Sequence, residues 1–139
     1  MDKKLVQEWY RIADSDLALA EFILAEKLLY LEAICFWSQQ SVEKFLKGYL
    51  IAHGKPQSSE GHDLLYLCTI CQRYDAAFAE IAEMCEELTT YGEPYMPGDY
   101  FVDEGLMRRA LSFAGQIKDF APLAELRAAL EQDDEEASP

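Results

Sequence analysis

A few small groups of residues have the types and spacing to do chemistry. Gln40, Lys44 and Lys47 recur at three and four positions, so they share one side of any helix that carries them. Two ammonium groups and an amide one turn apart could hold a phosphate or an acidic protein surface. With Glu43 beside them they equally describe a charged, solvated face. His62 next to Asp63 suggests a carboxylate-backed general base. Yet the pair opens an apolar run and has no nucleophile beside it in sequence, which fits a loop fixed onto the first two helices. His53 falls near a helix end, where a surface role is expected. Cys68-x-x-Cys71 has the spacing of half a zinc site or of a redox pair. A structural zinc needs four ligands, and Cys35 and Cys85 do not supply a second pair at motif spacing. Reduced core thiols and no metal are therefore expected. Tyr91, Tyr95 and Tyr100 with Phe101 gather rings in a stretch rich in Gly and Pro. They could form a stacking or partner-contact surface, or simply pin a loop to the body.

The elements that must position these groups are helices. Residues 33–54, AICFWSQQSVEKFLKGYLIAHG, read as one long helix around which the chain is organised. At about 100° per residue, Ile34, Trp37, Val42, Phe45, Leu46, Tyr49 and Ala52 gather on one broad side. Phe36, Gln40, Glu43, Lys44, Lys47 and Ile51 fall on the other, and Gly54 supplies the usual left-handed end. The first helix spans about 3–27, with Leu5, Val6, Trp9, Ile12, Ala13, Leu17, Ala20, Ile23 and Leu24 in one stripe. Asp16 lies by angle inside that stripe, so its carboxylate must be buried and bonded, with Gln39, His62 or a Tyr hydroxyl as candidate donors. The link to the second helix is short, which sets the two antiparallel. A polar loop holding Pro56 and Gly61 precedes a helix capped by Asp63 or a neighbour and ending near residue 74. A fourth helix is expected over 76–91. Residues 92–100 hold two Gly and two Pro and cannot be regular helix. A fifth helix follows over about 102–121. The fold expected is all-α: an antiparallel, up-down bundle of about five helices over residues 1–121. Residues 122–139 then form a short last helix and a disordered acidic tail from 131. No repeat and no strand-length alternation is present.

The 139 residues suit one domain, and half of them are hydrophobic, which excludes a disordered chain. No apolar run approaches the roughly 20 residues of a membrane span. The first residues lack the apolar core of a secretory signal, so a cytoplasmic protein is expected. The net charge of −14, from 12 basic and 26 acidic residues, argues against sequence-independent nucleic-acid binding.

Several pieces together resemble a known family. An Ala-x-x-Asp-Leu-x-x-Ala helix (Ala13, Asp16, Leu17, Ala20) precedes a Cys-Phe-x-x-Gln-Gln-x-x-Glu-Lys-x-Leu-Lys helix (Cys35, Phe36, Gln39, Gln40, Glu43, Lys44, Leu46, Lys47). Gly54-Lys55-Pro56, then His62-Asp63-Leu64, then the stretch from Tyr91 to Pro97 complete the pattern. It resembles the HEPN domain (higher eukaryotes and prokaryotes nucleotide-binding). The resemblance implies a helical bundle, often a homodimer, frequently paired with a small nucleotidyltransferase as in toxin–antitoxin systems; a tyrosine could then be an acceptor for nucleotidylation. Some members are metal-independent ribonucleases that use an Arg followed four to six residues later by His. Here no Arg precedes His53 or His62 at that spacing, and Pro94 stands where related loops carry Arg. The reading that follows is a non-catalytic module that self-associates and binds a partner protein or a nucleotide, with no cofactor. Gln40, Lys44, Lys47, Tyr91 and Tyr95 are its candidate binding residues, and Asp16, Gln39, His62 and Asp63 its structural polar ones. The rival is a ribonuclease toxin with a divergent site, using His62 and an Arg from a dimer mate. A third reading is an oligomer with no ligand.

Overall fold

The computed structural model describes residues 1–26, 30–58, 61, 63–92 and 101–137, with side chains to residue 132. The described residues form α1 (Lys3–Glu26), α2 (Leu31–Ala52), α3 (Leu64–Cys71), a 3-10 turn (Ala76–Ile81), α4 (Ala82–Thr89), α5 (Glu104–Lys118) and α6 (Ala121–Ala137), and include no strand. The protein is an all-helical bundle. The boundaries follow from local chemistry. Gly54 takes φ +83°, and Lys55 N–H turns back to donate to the Leu50 carbonyl (2.9 Å). Carboxylates at Asp63, Asp75 and Asp103 accept from Tyr66, Ala77 and Leu106 N–H and so cap α3, the 3-10 turn and α5.

α2 is the axis. It is buried almost continuously from Ile34 to Ile51. α1 lies along it antiparallel: Ala13 accepts from the Ser41 hydroxyl (2.8 Å), while the earlier Trp9 and Tyr10 meet the later Gly48. Tyr10 sets its ring edge-on to Phe45 at 5.4 Å. α5 packs on another side of α2, and its buried Met107, Ala110, Ala114 and Ile117 recur at spacings of three and four. α3 and α4 close the remainder with Leu64, Leu67, Cys68, Cys85 and Leu88.

Two boundaries differ from the pattern of the sequence. Residues 76–91 open as a 3-10 turn rather than as α-helix, and there the Phe78 carbonyl accepts from the Cys68 thiol (3.2 Å) instead of extending a regular ladder. The tail expected to be disordered from 131 continues as helix to Ala137. Leu123 and Leu130 are buried, and Tyr10 donates its hydroxyl to the Leu123 carbonyl (3.0 Å). With its first half anchored, extending the helix fixes one residue per added bond, and Glu and Ala suit that. Pro122 sits in the first turn, where its missing N–H costs nothing.

Gly48 marks a close approach of α1 and α2. A Cβ there would stand 3.1 Å from the Tyr10 ring and 3.2 Å from Trp9 Cβ, whereas one at Gly115 would meet nothing within 4 Å. Gly48→Val is therefore expected to destabilise by about 1–3 kcal/mol through overpacking. Gly115→Ala should stabilise by about 0.8–1 kcal/mol through helix propensity alone. Urea midpoints of the two variants check the opposite signs.

Candidate functional site

The side of α2 read as polar carries a dense run of hydrogen-bonding side chains, and the structure encloses it. Gln39 is 0% exposed, Lys47 1%, Glu43 3% and Gln40 9%. The solvated face expected for Gln40, Glu43, Lys44 and Lys47 is thus corrected: α1, the residue 55–58 segment and Gly92 lie over it. Lys47 donates to the Ser58 carbonyl (3.0 Å), lies 3.5 Å from a Glu43 carboxylate oxygen and approaches the Trp9 ring at 6.0 Å. Lys44 reaches across to α1 and donates to Asp16 (2.5 Å) and to the Gln40 amide oxygen (3.3 Å). Gln40 donates in turn to Gln39 (2.7 Å). The Gln39 amide abuts Gly92, where a Cβ would come within 3.0 Å of its nitrogen.

Asp16 is 8% exposed, and Lys44 meets it. Lys44 stands on α2 between Ser41 and Gly48, the residues that meet Ala13 and Tyr10, so its ammonium faces α1. Ser38 and Ser41 donate to the carbonyls of Ile34 and Ala13. The seam is therefore an internal chain of ion pairs and amides that neutralises its own charge.

The remaining candidates separate. Asp63 caps α3. His62, Tyr95 and Tyr100 lie outside the described residues. Tyr91 is buried at 4% exposure, so its ring is no stacking surface, whereas Phe101 is 81% exposed. His53 is exposed at the end of α2, between the rings of Tyr49 (4.4 Å) and Tyr74 (4.8 Å). All four cysteines are buried free thiols. Among the described residues no three His, Cys, Asp or Glu side chains are grouped to hold a metal.

One constellation escaped the sequence reading. Arg127 of α6 grips Asp14 of α1 with two hydrogen bonds (2.8 and 2.7 Å) and stacks over the Tyr10 and Phe45 rings. Lys118 stands 3.5 Å from the same carboxylate. Donating these hydrogen bonds to the Asp14 carboxylate holds the Arg127 guanidinium pKa above its ordinary value. A groove of about 200 Å³ opens beside them, lined by Gln7, Tyr10, Arg11 and Glu131. The signal was present: Arg127 shares the stripe of Leu123 and Leu130, and a cation in an apolar stripe needs an anion.

Burial also sets the protonation of several core groups. It pushes the Cys35 thiol from 9.0 up to about 12 and the Tyr49 phenol from 10.0 up to about 12. It raises Tyr10 and Cys71 as well, and the hydrogen bond with Cys68, then burial, raises Cys85. These groups are neutral in the fold, whereas the unfolded chain ionises them first as pH climbs. Their stabilisation is complete below pH 9.0 and is lost between there and about 12. Thermal midpoints should fall over that range, and Cys35→Ala should blunt the fall.

The Lys44–Asp16 pair is largely enclosed, with side chains 18% and 11% exposed. Asp16→Ala should cost about 2–3 kcal/mol, between the roughly 1 of a surface pair and the 3–5 of a fully buried one. Replacing Asp16 by Leu and Lys44 by Met together should recover most of that loss, since no charge is then stranded. A double-mutant cycle in urea measures both.

Comparison with known proteins fits this architecture. The family model for the HEPN domain matches residues 6–125, from the first turn of α1 into the first turns of α6. None of the curated proteins matches the chain. Among solved structures, TT1696 from Thermus thermophilus is similar in fold, with a TM-score of 0.70 and 24% identity over 86% of this chain and 96% of that one. ST0689, an archaeal HEPN homologue, has a TM-score of 0.66 and 24% identity over 90% of this chain and 97% of its own. With a family match running across the described bundle and the same fold in these two proteins, the chain belongs to the HEPN family.

Proposed function

We propose that this protein is a non-catalytic HEPN-type module. It self-associates and binds a partner protein, a nucleotidyltransferase first among them, or a nucleotide. The observation that carries the reading is the internal commitment of its central cations. Lys44 is engaged by Asp16, and Lys47 by Glu43 and the Ser58 carbonyl. RNA cleavage needs a base and an acid of suitable pKa and a cation for the charge that develops on phosphorus. The chain lacks an Arg four to six residues ahead of either His, and its net charge of −14 disfavours a polyanionic substrate. Gln40, Lys44 and Lys47 then act by holding the bundle in one form, and binding falls to the outer surface.

The test is direct. Purified protein is expected to leave RNA intact, to titrate with ATP in calorimetry or to co-purify from its native host with a transferase. RNA cleavage that His62→Ala abolishes would replace this reading with a ribonuclease. Absence of both a bound transferase and nucleotide binding would remove its support.

A further inference from the structure

We infer that Cys68 and Cys85 form a site of reversible oxidation, at which hydrogen peroxide converts two buried thiols into a disulfide that staples α3 to α4. The spacing Cys68-x-x-Cys71 points to a different pair. Both of those residues sit on the buried side of α3, but their sulfurs are engaged in different directions. The Cys71 thiol approaches the Leu46 carbonyl of α2 (3.9 Å), whereas the Cys68 thiol donates to the Phe78 carbonyl of the 3-10 turn (3.2 Å). The helix beside Cys68 is α4. At the start of α3, Leu64 N–H donates to the Thr89 hydroxyl at the end of α4 (3.0 Å). One turn further along α3 stands Cys68, and one turn back along α4 stands Cys85. An antiparallel register thus sets the two opposite each other, and the Cys85 side chain hydrogen-bonds to Cys68. Both are 0% exposed, so the core itself holds them together.

The two sulfurs have unequal surroundings, which assigns their roles. Cys68 accepts from the Cys85 thiol and, at 4.0 Å, from the Gln72 amide. The Cys85 hydrogen bond, against burial and with help from Gln72, holds the Cys68 thiol below its ordinary value. The same bond, then burial, raises Cys85. Cys68 is therefore the nucleophile and Cys85 the thiol that resolves it. The Cys68 thiolate attacks one peroxide oxygen, the O–O bond breaks, and hydroxide leaves and takes up the proton that Cys68 released. Cys68 is then a sulfenic acid. The Cys85 sulfur attacks the Cys68 sulfur, the S–O bond breaks, and the departing hydroxide leaves with the Cys85 proton as water. Two thiols are oxidised to one disulfide and one peroxide is reduced to two waters. The way in lies past Gln72, which is half-buried just after α3 and touches Cys68. At eight residues each, α3 and α4 are the shortest α-helices among the described residues. Such short elements open locally at less cost than a long buried helix such as α2, and peroxide is little larger than water.

The test is to treat the reduced, full-length protein with stoichiometric hydrogen peroxide, then count thiols in denaturant and map the peptides by mass spectrometry. Of the four thiols, Cys35 and Cys71 are expected to remain, and the chain should lose the mass of two hydrogen atoms. The thermal midpoint should rise by roughly 5–10 °C, because the bond closes the loop from 68 to 85 in the unfolded chain. Dithiothreitol should reverse both changes. Cys68→Ser and Cys85→Ala should each abolish the loss of the thiol pair and the rise. The double variant Cys35→Ser with Cys71→Ser, which keeps only the proposed pair, should retain them. Circular dichroism of the reduced proteins reports that each variant folds. A bond between Cys68 and Cys71, a thiol count that stays at four, or a gain of oxygen atoms that dithiothreitol does not remove would each overturn the site. So would loss of all four thiols together, which marks oxidation of the unfolded chain.

Discussion

Lys47 sits in the middle of α2 with its ammonium almost wholly out of water. A cation so placed is tolerable only if partners surround it, because an unpaired buried charge costs several kcal/mol, roughly 3–5 when a partner is taken away. The partners come from different parts of the chain: Glu43 from the previous turn, Ser58 from the connection after α2, Trp9 from α1. Meeting that one demand locates three segments at once. Lys44 does the same with Asp16, and Ser41 with Ala13. Apolar packing tolerates a range of side-chain arrangements. Directional bonds at these points choose one offset of α1 along α2.

A second framework is aromatic. Tyr74, His53, Tyr49, Phe78 and Phe120 stack in succession at centroid distances of 4.4 to 5.2 Å. The column joins the end of α2, the residues after α3, the 3-10 turn and the junction of α5 with α6. It needs no charge and so leaves the polar seam to the stretch of α2 from Gln39 to Lys47. The division explains why α2 carries both the broadest apolar side and the densest run of buried polar groups in the bundle.

Much of this was legible in the residues. The three- and four-residue spacing marked α1, α2 and α5, and Gly54 and Asp63 marked where helices stop and start. A carboxylate inside the α1 stripe also announced that it must have a partner. Its identity was not legible, because a projection of α1 alone does not show which edge of α2 faces it; that edge is the one carrying Ser41, Lys44 and Gly48. Lys47 was hidden for a different reason. A projection of one helix cannot show a loop folding back over it, and the residues 55–58 that cover it look like any polar connection. The length of α6 was masked by composition: an acidic run says disorder until Leu123, Arg127 and Leu130 are seen to be tied down.

The tie between α1 and α6 spans nearly the whole chain. Tyr10 to Leu123 and Asp14 to Arg127 are each separated by 113 residues. Such contacts close late, since the chain must first give up the entropy of the loop between them. On a ribosome, the first helix therefore emerges long before the segment that caps it exists. Until Arg127 clears the exit tunnel, Asp14 is without its clasp and Tyr10 without the carbonyl that receives its hydroxyl. The nascent bundle waits on its last helix to seal the work begun by its first.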